Sequence, residues 1–102
     1  MDIVTDGPTL VLDGDFDVRS TGEVRHAVYD LLRLHEGDVT IDMSGVDTVD
    51  LTALKVLAVA SRFAHRGGQR IVLRGASPAV RRMLHLSRLI RLVELEREAV
   101  PA

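Results

Sequence analysis

The chain contains no cysteine and no tryptophan, and only one tyrosine and two phenylalanines in 102 residues. Without cysteine there is no disulfide scaffold, no thiolate chemistry and no Cys-ligated zinc. The basic second half has Phe63 as its only aromatic. It therefore lacks the stacking platform of a single-strand nucleic-acid binder, and no direct nucleic-acid partner is expected. No apolar run approaches the roughly 20 residues of a membrane span, so no membrane partner is expected. The opening MDIVTDGPTL is acidic and has no apolar stretch of the kind a secretory leader carries. The expectation is a cytoplasmic domain.

What is present is ordinary for a globular protein: 46% hydrophobic and 27% charged residues. The length fits one domain, residues 1–102, with one core. The net charge of -2 conceals a lopsided arrangement. Residues 1–50 carry 12 Asp and Glu against 3 Arg, whereas residues 51–102 carry 3 Glu against 10 Lys and Arg. The plainest reading pairs acidic loops with basic helix faces inside one fold. The same asymmetry can also steer partners.

Residues 9–12, TLVL, follow a Gly7-Pro8 turn signal and read as a strand, with Ile3-Val4-Thr5 as its hairpin partner. Val24, Ala27, Val28, Leu31, Leu32 and Leu34 then recur at helical spacing, after a cap at Ser20 or Thr21 and before a stop near Gly37. Residues 39–43 alternate as a strand. A loop follows, and residues 51–65 form a second helix, apolar nearly all round in its first half and stopped by Gly67-Gly68. Residues 70–74 read as another strand, with Ile71-Val72-Leu73 as a run of the fully buried type. Ser77 caps a third helix with Pro78 at its first position. Residues 89–95 read as a last strand. Strands alternating with helices imply an α/β fold with a mixed, mostly parallel sheet and right-handed crossovers.

Most candidate sites dissolve on inspection. DGDFDV places Asp13, Asp15 and Asp17 at alternate positions, like the start of a calcium loop. That loop needs Gly at its sixth position and Glu at its twelfth, where this chain has Val18 and Val24. The triplet is expected to be a solvated strand end and turn. His26, His35, His65 and His85 are scattered, with no metal spacing, and Gly67-Gly68 is a better helix stop than a phosphate cradle. No nucleophile–base pair or metal set can be assembled, so neither a catalytic residue nor a cofactor is expected.

MSGVDTVDLTAL is different. Asp50 is a strong N-cap candidate whose carboxylate can accept from the backbone N–H groups of Thr52 and Ala53. Thr52 then falls in the first helical turn, where hydroxyls are usually exposed and free N–H groups point outward. Most such threonines are plain helix residues. A phosphate at this one would gain roughly 0.3–1 kcal/mol from the helix dipole and would add charge beside Asp47 and Asp50.

Three segments together resemble the STAS domain, the anti-sigma-factor antagonist family. VLDGDFDVRSTGEVRHAV is similar to its opening strand, Gly-x-(Leu/Phe)-Asp turn and first helix. VTIDMSGVDTVDLTAL resembles its signature strand and phosphorylation loop, and GGQRIVLRGASPAVRRMLHLSRLIRLVEL its second half. In that family the loop usually reads Asp-Ser-Ser/Thr-Gly, and the residue in its third place is phosphorylated by an ATP-dependent anti-sigma-factor kinase. The resemblance puts Asp50 in the Asp place and Thr52 in the acceptor place. Leu51 and Ala53 replace the usual Ser and Gly, removing a hydroxyl and stiffening the turn. EREAVPA is too short to supply whole the final helix many members carry.

The resemblance implies a single STAS-like domain with about three helices, its final helix short or absent. It further implies a domain that binds a serine/threonine-kinase anti-sigma factor when unphosphorylated, releases a sigma factor, and is reset by a phosphatase. Residues 47–57 would dock, with Val49, Leu51 and Leu54 as apolar contacts, Asp47, Asp50 and Ala53 beside them, and Thr52 as the modified residue. A weak dimer is a further expectation. The alternative is an unphosphorylated regulatory subunit of a larger assembly, such as a lipid-transport ABC complex.

Overall fold

The computed structural model describes residues 1–97. Two antiparallel strands open it, β1 (Asp2–Asp6) and β2 (Thr9–Phe16), joined by the Gly7-Pro8 turn. Helix α1 (Thr21–Leu34) leads to β3 (Val39–Val49), and α2 (Leu51–Arg66) leads to β4 (Ile71–Arg74). Helix α3 (Pro78–Leu86), a 3-10 turn at Leu89–Arg91 and the short β5 (Glu94–Leu95) follow. The sheet order is β1-β2-β3-β4-β5, and every pair after the first hairpin is parallel. Successive parallel strands are neighbours, so right-handed crossovers put all three helices on one face. This is the α/β fold expected from the alternation, with a mixed five-stranded sheet and three helices.

One side of the sheet therefore builds the core. Leu10, Leu12, Phe16, Val39, Ile41, Met43, Ile71 and Leu73 are buried there against Val24, Val28 and Leu31 of α1 and Leu54, Leu57 and Ala60 of α2. Val72 points to the uncovered side and is only half-buried. Ile71-Val72-Leu73 is thus not the doubly covered run that its composition indicated. An apolar triplet cannot by itself report whether a second layer of helices exists.

Three further boundaries differ from the sequence reading. β2 continues through DGDF to a fully buried Phe16, and at the register shifts near Asp13 and Asp15 the extra residue lies on β3, which brings Val46 to the core side with Ile41 and Met43. β3 runs on through SGVDTV, where a loop was expected, because the prolonged β2 offers a parallel partner as far as Phe16↔Val49. Residues 89–95 yield a 3-10 turn and a two-residue strand rather than one strand. Arg88 there has a left-handed backbone (φ 65°), which turns the chain. The final-helix expectation concerns residues that lie, from 98 onward, outside those described.

The helix starts differ in capping: the cap expected at Ser20 or Thr21 makes no capping bond to α1, because the Ser20 hydroxyl turns back to the carbonyls of Asp15 and Asp17, whereas α3 follows the rule. Ser77 Oγ accepts the N–H of Val80, with Pro78 in the first turn. The amide Nε2 of Gln69 donates toward the carbonyls of Leu32, His35 and Gly37, closing the C-terminal end of α1 against the entrance to β4.

Candidate functional site

Because β3 reaches Val49 and α2 begins at Leu51, the connection between them is one residue, Asp50. It has an extended backbone, as an N-cap should (φ -110°, ψ 171°). Its Oδ1 accepts the N–H of Ala53 at 2.8 Å. Its Oδ2 accepts not from Thr52 but from the N–H of Val18, at 3.1 Å, on the connection between β2 and α1. Its own N–H donates to the carbonyl of Phe16, and its carbonyl accepts from Leu54. An ionised carboxylate is acceptor-only and can serve both groups at once. Asp50 thereby fixes the mouth of α2 to the end of β2.

Thr52 stands one step past this anchor and is exposed. Its hydroxyl makes no hydrogen bond among the described residues. It lies at the head of a shallow groove between α1 and α2, lined with Arg25, Tyr29, Lys55, Val56 and Val59. Farther along, Tyr29 and Phe63 meet edge to face with ring centroids 5.1 Å apart, yet Phe63 and Val59 remain largely exposed. Helix α2 contains no acidic residue. The charged residues lining the groove are both cations, and neither Arg25 nor Lys55 has an ion pair among the described residues.

The site residues named from the sequence divide here. Asp47 and Thr52 are exposed, Leu51 is exposed at 41%, and Val49 and Asp50 are half-buried. Ala53 and Leu54 are not surface residues at all: both are 0% exposed. Helical spacing turns positions 53, 54 and 57 inward together, so the apolar contact expected of Leu54, and the place expected for Ala53 beside it, are unavailable to a partner. Arg25, Tyr29 and Lys55 were missed. The 52, 55, 56, 59 spacing on α2 was visible in the sequence, but that α1 supplies the other wall depends on tertiary packing.

Two of the three aspartates, Asp15 and Asp17, are engaged within the fold. Thr48 Oγ1 donates to Asp15 Oδ1 at 2.7 Å. Arg19 donates to Asp17 through its guanidinium and its backbone N–H, holding that carboxyl below its usual range. Asp13 and Asp15 face solvent, as a strand end would.

No curated protein matches the chain in sequence. Among solved structures, it is similar to a Thermotoga maritima protein described as an anti-sigma factor antagonist. Identity is 18% and the TM-score 0.77, covering 95% of this chain and 86% of that one. The phosphorylated form of the Bacillus cell fate determinant SpoIIAA matches at 16% identity and a TM-score of 0.66, over 95% and 91%. A Ser-to-Glu variant of Moorella thermoacetica RsbS matches at 23% and 0.67, over 96% and 86%. At these identities the likeness establishes a common fold. The family model described as "Mlab, STAS domain" matches residues 1–94, nearly the whole chain, and the protein belongs to the STAS domain family.

Proposed function

We propose that this domain is an anti-sigma-factor antagonist whose docking is switched at Thr52. Unphosphorylated, it binds a kinase-type anti-sigma factor through Asp47, Val49, Leu51 and the groove that begins at Thr52, and the sigma factor is released. The kinase transfers the γ-phosphoryl of its ATP to Thr52 Oγ1, the hydroxyl proton is lost, and ADP departs. A phosphatase restores the hydroxyl. The domain is the substrate in this cycle and supplies no catalytic group.

The observation that carries the reading is the exposed, unbonded hydroxyl of Thr52 on a helix mouth that Asp50 holds in place. Structural neighbours named as anti-sigma factor antagonists agree with it. A phosphoryl group there adds about -1.5 to -2 charge. Within the domain, Asp47 and Asp50 oppose it, while the helix dipole and the cations Arg25 and Lys55 favour it, so the fold persists. A partner seated on the groove meets new charge and bulk, and loses several kcal/mol on the scale of an unpaired interfacial charge.

The test is a pull-down from lysate with wild type and Thr52→Glu as baits, followed by mass spectrometry of captured proteins and bait. The expected result is an ATP-binding anti-sigma factor on the wild-type bait, its depletion on the Glu bait, and one phosphate on Thr52 after incubation with ATP. Equal capture by both baits overturns the reading.

One observation favours a second reading. Leu51 offers an exposed apolar side chain beside a sealed Ala53, a surface suited to a permanent contact in a larger assembly such as a lipid-transport ABC complex. Co-purification with an ATPase subunit, with Thr52 unmodified, selects it.

A further inference from the structure

The charge asymmetry in the sequence becomes, in the fold, two concave poles at opposite corners of the sheet. A hollow along β1 and β2 is lined by Asp2, Asp13, Asp15, Asp17 and Glu23, with Arg19 as its one basic side chain. It sits where β2 approaches its C-terminal end. A groove along β4 and β5 is lined by Arg62, His65, Arg66, Arg70 and Arg91, with Glu94 as its one acid and Ile71, Leu92 and Val93 as its apolar lining. It sits where β4 begins, at the far end of α2. The sheet order β1-β2-β3-β4-β5 puts β3 between the poles, and the parallel strands put them at opposite rims.

Both poles keep charge that the fold does not use. In the groove, Arg70 is engaged by Glu94 and Asp38, but Arg62, Arg66 and Arg91 form no ion pair among the described residues. In the hollow, Arg19 engages Asp17 and Thr48 engages Asp15, whereas Asp2, Asp13 and Glu23 have no bonding partner among them. Three unspent guanidiniums thus stand on one corner and three unspent carboxylates on the other. The plain expectation that these halves neutralise each other inside one chain is met only in part, because the sheet holds them apart.

We infer that the basic surface around the groove of one copy docks on the acidic surface around the hollow of a second, so that the chain associates head to tail through the exposed Arg62, Arg66 and Arg91 on one side and Asp2, Asp13 and Glu23 on the other. Guanidinium forks match carboxylates in pairs, and all six side chains are exposed, so the attraction is open to screening by salt. The poles face away from each other, so one contact leaves a free pole on each copy. The interface is heterologous, and it continues into a chain or ring rather than stopping at a two-fold dimer. Neither pole includes Thr52, so this association stands independently of the phosphorylation reading.

Sedimentation velocity on the full chain tests it, at about 0.01 M salt, where the Debye length is ~30 Å, and at about 1 M, where it is ~3 Å. Wild type is expected to grow beyond dimer with concentration at low salt and to return to monomer at high salt. Arg62→Gln with Arg66→Gln weakens one pole, and Asp2→Asn with Glu23→Gln weakens the other, neither reversing its charge. All four side chains are exposed, and unchanged melting curves verify the folds. Each double variant alone is expected to stay monomeric at low salt. An equal mixture of the two is expected to give a one-to-one dimer and nothing larger, because each still offers one intact pole. A monomeric wild type at low salt, association that survives high salt, or a mixture that stays monomeric overturns the inference. The last outcome would assign the groove to some other acidic ligand.

Discussion

The carboxylate of Asp50 accepts the backbone N–H of Val18, 32 positions upstream, while its other oxygen caps α2 at Ala53. One side chain therefore ties the end of β2, the end of β3 and the start of α2 into a rigid platform for Thr52. Asp50→Ala removes both bonds and leaves two donors unpaired, and it should lower stability by about 2 kcal/mol. Asp50→Asn keeps the oxygen that caps Ala53 but offers Val18 an amide donor instead of an acceptor, and should lose about 1 kcal/mol. Urea denaturation of the two variants and wild type gives the order directly; an Asn variant as stable as wild type would remove the separate contribution of Val18, and one as weak as the Ala variant would remove that of the Ala53 cap.

Gly75, just past β4, has a left-handed backbone (φ +70°), and a Cβ built on it would fall 2.8 Å from Cβ of Ser44 on β3. Gly75→Ala combines backbone strain with a clash against a neighbouring strand. It should destabilise by about 2 kcal/mol or more, read as a lowered urea midpoint with unchanged slope. Gly37→Ala, where nothing lies within 4 Å of a new Cβ, should leave the midpoint nearly unchanged.

Asp42 accepts from both the hydroxyl and the backbone N–H of Ser44, which holds its carboxyl below the ordinary value of 3.8. A depressed folded-state value means stability that is complete above the unfolded value and disappears as pH falls through the folded one. Asp42→Asn should cost about 1 kcal/mol or less near neutral pH, since solvent screens this half-exposed group. The difference from wild type should shrink as pH falls below 3.8 toward the depressed folded-state value. Urea midpoints of both proteins from about pH 7 to pH 2.5 check this, and a constant difference across the range would contradict it.

Arg25 and Lys55 are the charged residues lining the groove below Thr52. On the docking reading, Arg25→Glu with Lys55→Glu should weaken capture of the partner by about tenfold or more, about 1.4 kcal/mol. Both residues are exposed, so the melting temperature should move little. Titration calorimetry against the captured partner measures the first effect and circular dichroism the second.

Much of this was legible in the residues. The periodicity of α1 and α2, the Gly7-Pro8 hairpin, the Ser77-Pro78 cap and the Asp50 N-cap are local signals, each carried by a few neighbouring side chains, and the structure realises them. The lengths of β2 and β3 were not legible. Asp13, Gly14, Asp15 and Gly45 have weak strand propensity, and those segments are strands because each supplies the other's hydrogen-bond partners across some 30 residues of chain.

Sequence alone determined that position 52 is a threonine in the first turn of a helix capped by an aspartate, because capping depends on side-chain type and spacing within one turn. It also determined that the chain's two halves carry opposite charge. Tertiary structure decided that Leu54 and Ala53 turn into the core, that α1 lends Arg25 and Tyr29 to the wall beside Thr52, and that the two charged halves face away from each other. Burial and charge proximity are properties of which elements pack together, and packing follows from strand order, which no single segment encodes.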